Sequence, residues 1–328
     1  MVRGTMFGHS SQLRNAMKHA GHFLVYILMR VVVSIIQALS METCHGAVHL
    51  LAYVLCDVVK FRNKIIEENL RIALPESTPE ERHKIARRMW RHLLLMVIEI
   101  IHAPRKIHDT NWRKFVEVKD RRVVVTAMLQ SRPKIVVTAH FGNFEIAGYL
   151  TGILGFRVHT VARRIENPFI DAYVNRFREA KGQYILPKHG SAPQAGIVLA
   201  TGGMLVLLGD QHAGVRGVWV DFMGRPSSCH KALALFTLVS KAPMIAVYCK
   251  RTTGPMRFEL GLAGLMDPSI PAPELAGVKP LTQWYNQALE REIRKEMHQY
   301  WWVHRKWRDE PKKKKEAAAE QPAAKAAA

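Results

Sequence analysis

The first third of the chain has the hydrophobic pattern of helices. Residues 23–39, FLVYILMRVVVSIIQAL, are apolar around the whole helix except at Arg30, Ser34 and Gln37, which helical spacing places on one stripe. A second apolar helical stretch covers residues 43–61. Because Arg30 lies in the middle of the first stretch, that stretch is too polar for a clean membrane-spanning helix.

Three interpretations of residues 23–39 compete. A secretory signal peptide needs a small-residue cleavage site and no central charge, so it is disfavoured. A buried core helix with one polar stripe is the second interpretation. We favour the third, a membrane anchor that spans the bilayer or lies in its interface, because residues 1–22 are basic and no acidic residue precedes Glu42. Such an anchor would keep residues 1–22 on the cytoplasmic side.

Two more helices are predicted next, at residues 62–74 and 79–103, with Pro75 ending the first and Pro104 the second. The second helix opens on a capping sequence at Thr78 and begins basic before it turns apolar. The basic half predicts attraction to an anionic membrane surface. Its cations are Arg82, His83, Lys84, Arg87, Arg88 and Arg91.

One acidic residue, Glu99, lies within the apolar half of the helix at residues 79–103. Helical spacing puts it on the same face as His92 and Arg88. We therefore predict a structural, buried ion pair at Glu99 rather than a catalytic carboxylate.

Beyond residue 104, short runs rich in β-branched residues alternate with helical segments. Strands are predicted at 134–139, 156–161, 184–186, 204–208, 218–222, 244–248 and 257–260. Helices are predicted at 143–154, 167–180, 192–200, 230–240 and 281–302. This alternation predicts an α/β fold with a mostly parallel sheet covered by helices on both faces, next to an N-terminal helical membrane-associated segment.

These patterns divide the chain into three parts. Residues 1–41 form the basic flank and the anchor helix, and residues 42–311 form a single α/β domain. Residues 312–328, KKKKEAAAEQPAAKAAA, are of low complexity and predict a disordered basic tail.

Charge narrows the choice of partners. The chain has 48 Lys and Arg against 27 Asp and Glu, a formal net charge of +21. Such a charge predicts a polyanionic partner, which can be nucleic acid, anionic lipid headgroups or an acidic carrier protein. Nucleic acid is disfavoured, because no recognition motif is present and the charge is spread over helices as well as the tail. The four cysteines form no C-x-x-C pair, which excludes a zinc ribbon or a thioredoxin-type motif and favours a reducing compartment.

Common catalytic motifs are missing from the sequence. It contains no P-loop, no dinucleotide-binding glycine pattern, no nucleophile elbow and no H-E-x-x-H pair, so those enzyme classes are disfavoured and no metal or organic cofactor is predicted. The segment HFGNFE remains, with His140 directly after the strand KIVVTA and Glu145 in the first turn of the next helix. Open α/β sheets bind ligands at this carboxyl edge.

His140 and Glu145 suggest acid–base chemistry. A histidine can take a proton from a hydroxyl near neutral pH, and a carboxylate five positions on can hold its other ring nitrogen. No serine or cysteine nucleophile adjoins the pair, so the chemistry that suits it is direct attack of a hydroxyl on an activated acyl group. Spacing alone fits equally well a strand-end histidine that caps the helix.

Other polar residues follow strands that end at the same edge. Arg163 and Arg164 follow the second strand, and Asp210 and Gln211 follow the third. Such cations could hold phosphate groups. On the next helix, Arg176 is a further candidate, whereas for Arg178 we predict a solvated surface charge.

HFGNFE resembles the H-x-x-x-x-[DE] motif of glycerolipid and lipid A acyltransferases. The wider pattern is similar to the late acyltransferases of lipid A biosynthesis, over residues 62–311 and in the family's order. The matching segments are NLRIALPESTPEER, TAHFGNFE, ARRIENPFIDAYVNRFR, LLGDQ, VWVDFMGRP, the AP of SKAPMI, and YWWVHRKWRDEP.

The resemblance implies a function. The chain is expected to be an inner-membrane O-acyltransferase, with its catalytic domain on the cytoplasmic side, that moves a fatty acyl chain from a thioester to a hydroxyl of a phosphorylated glycolipid such as a lipid A precursor. The family's usual donor is acyl carrier protein, an acidic partner that suits a basic chain; acyl-CoA is the other donor. The resemblance assigns His140 and Glu145 as the catalytic dyad, and implies that Arg176 and Asp210 matter for activity; with Arg164 and Gln211 they form the expected substrate site.

The sequence departs from the family at one segment. Where the family shows a threonine and then a glycine-proline pair, this chain has Cys229, Ala232 and Leu233. Since this segment is expected to border the acyl or acceptor pocket, another acceptor stays open: a lysophospholipid, an aminolipid or a mannosylated phosphoinositide. A basic membrane or nucleic-acid-binding protein and an inert scaffold with the same fold are less favoured alternatives.

Overall fold

In the computed structural model of the chain, residues 6–188 and 190–308 are described, so the predicted tail at 312–328 lies outside the described residues. The N-terminal third is helical, as predicted. Its elements are α1 (Met6–Ala38), α2 (Met41–Tyr53), a π-helical turn (Val54–Val58), α3 (Asn63–Ala73) and α4 (Pro79–Lys106).

Helix α4 begins where the sequence predicts it and ends slightly later. Thr78 accepts a hydrogen bond from the backbone of Glu81, and the Glu81 side chain accepts one from the Thr78 backbone, which is a complete capping box. Pro104 lies inside the helix, which continues to Lys106. The prediction that Pro104 closes the helix was therefore wrong by one turn, since a proline weakens the turn that it enters without having to end it at once.

The remaining elements form the α/β part. Its strands are β1 (Val116–Val118), β2 (Lys134–Thr138), β3 (Val158–Ala162), β4 (Gln183–Pro187), β5 (Met204–Leu208), β6 (Val218–Phe222), β7 (Arg225–Cys229), β8 (Met244–Arg251) and β9 (Phe258–Met266). Its helices are α5 (Arg121–Leu129), α6 (Phe144–Ile153), α7 (Pro168–Glu179), α8 (Ala192–Ala200), α9 (Ala232–Ser240) and α10 (Val278–Lys295). The sequence patterns missed β1, α5 and β7.

Seven strands form one sheet in the order β1-β9-β8-β2-β5-β3-β4, and β6 and β7 form a separate hairpin. Neighbouring strands of the large sheet are parallel except for β8 and β9. Strand β2 is buried on both faces: Ile135 and Val137 pack in the same cluster as residues of α9 and α10, whereas Val136 packs with Ala127 of α5. The predicted mostly parallel sheet, covered on both faces, is confirmed.

Helix α1 contacts α4 and α7, and two residues of its polar stripe, Arg30 and Gln37, bind groups of the protein. Arg30 donates to the Tyr26 hydroxyl at 2.9 Å and lies over the ring of Tyr173 at 5.0 Å. Gln37 donates to the backbone oxygen of Ile101. The opposite side is exposed and apolar, and residues 14–38 are long and apolar enough to cross a membrane. Its exposed side chains include Leu24, Val25, Leu28, Val31, Val32 and Ile35.

Three of the six basic residues at the start of α4 contact acidic side chains of the protein. Arg82 is buried and pairs with Glu67, whereas His83 and Arg87 both contact Asp57. The prediction that the whole basic segment faces an anionic membrane is wrong for Arg82, because it is buried; His83 and Arg87 are 43 % and 40 % exposed, and for them attraction to a membrane stays a prediction. Lys84 and Arg88 are exposed.

Candidate active site

His140 and Asp210 lie side by side because of the sheet register. Strands β2 and β5 are parallel neighbours, and Thr138 pairs with Leu208 at their carboxyl ends. His140 lies two residues after Thr138, and Asp210 lies two residues after Leu208. The strand register therefore places the two residues side by side. The Asp210 Oδ2 atom accepts the backbone N–H of His140 at 3.0 Å, which fixes the carboxylate beside the imidazole.

The two ring nitrogens of His140 have different partners. Nδ1 lies 2.8 Å from Oδ1 of Asp210, and Nε2 lies 3.2 Å from the amide nitrogen of Gln211. The ionised Asp210 carboxylate can only accept, so Nδ1 carries the proton that it donates, and in the neutral imidazole the lone pair is then on Nε2. This is the tautomer that a general base needs on the Nε2 side.

The Asp210 carboxylate is stabilised in its charged form. Its side chain is 4 % exposed, and burial alone would raise its pKa. The His140 side chain and backbone N–H, together with the more distant Lys306, outweigh burial and hold the pKa of Asp210 well below its ordinary value. Tyr300 is also buried, and burial and the Asp210 charge raise its phenol pKa well above the ordinary value. Asp210 therefore stays ionised, and Tyr300 stays neutral, through the neutral range.

The sequence expectation for His140 differs from the structure at one contact. Glu145 was expected to hold the second ring nitrogen, but that place is taken by Asp210. Glu145 instead forms a two-point ion pair with Arg178, whose Nε donates to Oε2 at 3.0 Å and whose terminal nitrogen donates to Oε1. The Arg178 side chain is only 18 % exposed, so the prediction of a solvated surface charge was wrong.

The turn between His140 and α6 requires a glycine. Gly142 has φ +61, and a Cβ there would lie 2.0 Å from the backbone oxygen of Cys249. The same oxygen accepts the backbone N–H of Asn143 at 2.7 Å. The Asn143 side chain then caps α6 by accepting the N–H of Ile146.

A buried charged network lies beneath this turn. Glu99 is fully buried and accepts two hydrogen bonds from Arg251 and one from the Asn143 amide. Arg251 also donates to Nδ1 of His92, whose Nε2 lies 3.1 Å from the backbone oxygen of Gly142. The predicted buried ion pair at Glu99 is confirmed, but its partner is Arg251 rather than His92 or Arg88. The network connects the turn after His140 to α4 and β8.

A cavity of about 560 Å³ opens beside His140. Its wall also includes Glu145, Arg178 and Gln211. Most of the remaining lining is apolar and comes from the sheet and from helices on both of its faces, including Met128, Val136, Ala147, Val206, Leu233 and Phe236. A volume of this size holds a small-molecule or lipid ligand.

The predicted cations are distributed unevenly around this cavity. Arg163 and Lys188 line it, whereas Arg164 and Arg176 are exposed and lie outside its lining. In the divergent segment, Ala232 and Leu233 line the cavity, and Cys229 is fully buried with its sulfur 3.5 Å from the Lys306 amine. Lys188, which the sequence reasoning missed, follows β4, the strand next to β3; its position after a predicted strand was the available signal.

Metal ligands are scarce in the described part of the chain. One group of three, Cys56, Asp57 and His83, has its ligand atoms within 4.8 Å of one another. The Asp57 carboxylate there already accepts hydrogen bonds from His83 and the Arg87 guanidinium, which supplies the compensating positive charge. The group therefore forms an ion-pair cluster between α4 and the π-helical turn.

Comparisons with known proteins identify the family of this chain. Two curated proteins are each 24% identical over 258 residues, covering 77% of this chain and 81% of the relative: the lipid A biosynthesis palmitoleoyltransferase of Escherichia coli (strain K12) and the lipid A biosynthesis acyltransferase of Shigella flexneri. The crystal structure of the 1-acyl-sn-glycerophosphate (LPA) acyltransferase PlsC from Thermotoga maritima is similar with a TM-score of 0.39 and 13% identity, covering 80% of this chain and 99% of that chain. The family model described as bacterial lipid A biosynthesis acyltransferase matches residues 10–309, nearly the whole chain. The chain therefore belongs to the bacterial lipid A biosynthesis acyltransferase family, and it is an acyltransferase.

Proposed function

We propose that the protein transfers a fatty acyl chain from a thioester to a hydroxyl of a phosphorylated glycolipid such as a lipid A precursor, with His140 as the general base. The observation that carries this proposal is the His140–Asp210 pair, in which the carboxylate binds Nδ1 and leaves Nε2 for the substrate, with His140 in the wall of a mostly apolar cavity. The family, and the lipid A acylation named for both curated relatives, support the acceptor class.

The reaction needs one base and no covalent enzyme intermediate. Nε2 of His140 takes the proton of the acceptor hydroxyl as that oxygen attacks the thioester carbonyl carbon. Gln211 gives up its contact with Nε2 when the hydroxyl arrives. The tetrahedral intermediate then collapses, the carbon–sulfur bond breaks, and the imidazolium returns the proton to the departing thiolate. Asp210 stabilises the imidazolium in between, because its carboxylate is already charged and aligned with Nδ1.

The apolar part of the cavity suits the acyl chain. Its lining runs from His140 back along β2 to Val136 and past α5, so a chain bound there would be removed from water. The thioester end would then lie near His140, where the attacking hydroxyl must also come.

Cations at the cavity support a phosphorylated acceptor. Arg163 and Lys188 line the cavity, and Arg178 keeps one terminal nitrogen beyond those that bind Glu145. Guanidinium groups match phosphate oxygens in pairs. We assign Glu145 to holding Arg178 in the wall, beside the reacting groups, so His140 and Glu145 both remain in the proposed machinery. Arg164 and Arg176 remain proposed contacts for the parts of the acceptor that extend beyond the cavity.

The net charge of the chain supports the choice of acyl donor, and helix α1 supports the location at the membrane. A net charge of +21 suits an acidic acyl carrier protein better than a neutral donor, although acyl-CoA carries phosphates as well. The exposed apolar side of α1 supports attachment to the inner membrane, with the catalytic part on the cytoplasmic side where these donors are made.

The decisive test uses purified protein in mixed vesicles, a radiolabelled acyl-carrier thioester and a phosphorylated lipid A precursor. We expect acyl transfer to the precursor and loss of about 10²–10⁴-fold in rate for His140→Ala. Matched assays replace the precursor with a lysophospholipid or an aminolipid. Transfer to one of these lipids alone would reject the glycolipid acceptor while keeping the chemistry, and full activity of His140→Ala would reject the chemistry.

A further inference from the structure

The chain bends by 91° between residues 41–58 and α3. We propose that residues 58–62, which we call the elbow, form a second membrane contact, separate from α1, that inserts into the headgroup region of an anionic leaflet. This contact adds to the proposed function, and its test does not depend on acyl transfer.

The elbow exposes large apolar side chains. Val58, Val59 and Phe61 are 61 %, 59 % and 50 % exposed. The apolar surface continues along α2 through Leu50 and Leu51, which are also exposed. Soluble surfaces rarely carry such a continuous apolar patch unless something covers it.

The backbone holds the elbow in this exposed form. Lys60 and Arg62, which are not glycines, have φ 52 and φ 57 in the left-handed region. The backbone N–H groups of Val59 and Phe61 donate to carbonyl oxygens of the π-helical turn at 2.8 and 2.9 Å. Asn63 closes the bend by donating from its side chain to the Cys56 oxygen at 2.7 Å. Val58 and Val59 are thus held outward by the local fold, whereas the half-exposed Phe61 ring also lies 5.8 Å from the Trp90 ring.

The positive charge around the elbow indicates that the elbow binds an anionic lipid surface. Lys60, Arg62 and Lys64 are exposed and flank the apolar tip, and no acidic residue occurs from position 58 to position 66. Apolar side chains between long basic ones fit a leaflet, because the apolar groups can enter it while the cations stay with lipid phosphates. A protein partner would need acidic groups arranged around an apolar pocket, and a leaflet supplies both properties without any specific shape.

The elbow is also connected to the border of the active site. Arg62 donates to the backbone oxygen of Val303, and the neighbouring Trp301 and His304 rings lie 5.1 and 5.4 Å from the His140 ring. Helix α1 is connected to another part of that border, since Asn167 donates to the His22 oxygen near Ile165, which lines the cavity. Binding a leaflet at both places would hold the cavity against the membrane.

The buried cysteines make a direct test possible in the full-length protein. All four are at most 2 % exposed, so one cysteine introduced at an exposed position can be labelled selectively with an environment-sensitive fluorophore. Val59→Cys reports on the elbow, and Val31→Cys reports on α1. Val239→Cys is the matched control, because Val239 is an exposed valine on α9, 81 % exposed. Each labelled protein is mixed with vesicles of zwitterionic lipid, with or without added anionic lipid.

We expect the label at position 59 to shift to the blue with anionic vesicles and to be quenched by lipids brominated near the headgroup. The label at position 239 should do neither. A label at position 59 that stays open to aqueous iodide on vesicles, while the label at position 31 is protected, would overturn the proposal. The proposal would also be overturned if the label at position 59 became protected from iodide without vesicles, to an extent that rises with protein concentration. That result would indicate that a second copy of the chain covers the elbow.

A pair of substitutions measures the contribution of the elbow. Val58→Ser combined with Val59→Ser should lower the partition of the full-length protein onto anionic vesicles by about tenfold, because two exposed valines would no longer transfer from water. Val239→Ser should leave partition unchanged. Thermal unfolding in the absence of vesicles checks that both variants fold, and equal partition of the double variant and the wild type would reject the elbow as a contact.

Discussion

His140 and Asp210 occupy equivalent positions after two neighbouring parallel strands, and their side chains meet with Nδ1 and Oδ1 2.8 Å apart. A buried carboxylate thus orients the imidazole, as in serine hydrolases. Here the register of two neighbouring strands brings the two side chains together. This contact supports the proposed role of Asp210 as stabiliser of the imidazolium, whereas Glu145 binds Arg178.

Asp210→Asn should lower kcat by about 10²–10⁴-fold with a smaller change in KM. The asparagine amide can donate to Nδ1, which would move the imidazole proton to Nε2 and remove the base. Steady-state kinetics of the folded variant test this expectation. Gln211→Ala is the control, because it removes the other ring contact without changing the tautomer and should cost far less. Equal losses in the two variants would contradict the assignment.

Gly142→Ala should abolish activity and destabilise the protein, because the new Cβ would meet the Cys249 oxygen at 2.0 Å in a left-handed conformation. Gly155 offers a matched control: it also has positive φ, +85, but a Cβ there would meet nothing within 4 Å. Gly155→Ala should therefore cost only about 1 kcal/mol in unfolding free energy and keep full activity. Urea unfolding and turnover of the two variants make the comparison. Similar losses would show that backbone conformation alone, and not the close approach to β8, makes Gly142 necessary.

The sequence predicts much of this fold because its signals are local. Alternation of β-branched runs with helices predicted the parallel sheet, and α8, β5 and β6 lie at their predicted residues. Helix α5 was missed because RRVVVTAML combines helical charge with the β-branched residues of a strand. Strand β1, three residues long, is defined by pairing with β9, which is distant in sequence.

The site was predictable only in part. His140 was identified from its position after a strand, and the same argument found Asp210 and Gln211. The contact between His140 and Asp210 was not predicted, because it depends on which strands are neighbours in the sheet. That order results from long-range packing and leaves no local sequence pattern. Arg178 was misjudged for the same reason: its partner Glu145 lies 33 residues away on another helix.

His92 should make the protein less stable in mild acid. Burial, followed by the nearby Arg251 charge, lowers the pKa of His92 well below the ordinary value of about 6.5. The folded protein keeps His92 neutral while the unfolded chain takes up a proton, so stability is complete above about pH 6.5 and falls by up to about 1.4 kcal/mol per pH unit below it. Urea unfolding from pH 7.5 to pH 5 should show this slope, and His92→Gln should flatten it while lowering stability at pH 7.5. An unchanged slope in the variant would assign the acid sensitivity to other groups.

The pair Glu145–Arg178 gives the sharpest test of how Glu145 acts. If it works by holding Arg178, then Glu145→Gln and Arg178→Met should have similar defects, and the double variant should be no worse than either one. Arg178→Lys should restore little, because an ammonium cannot make the two-point contact with the carboxylate. The measurement is a double-mutant cycle on kcat/KM with a phosphorylated acceptor and with its dephosphorylated form. Because Arg178 lines the cavity, we expect a loss of about ten- to a hundredfold on the phosphorylated lipid and a smaller loss on the other. Additive defects would mean that Glu145 acts on the reacting groups directly, and equal losses on both lipids would mean that Arg178 serves the structure of the cavity rather than phosphate recognition.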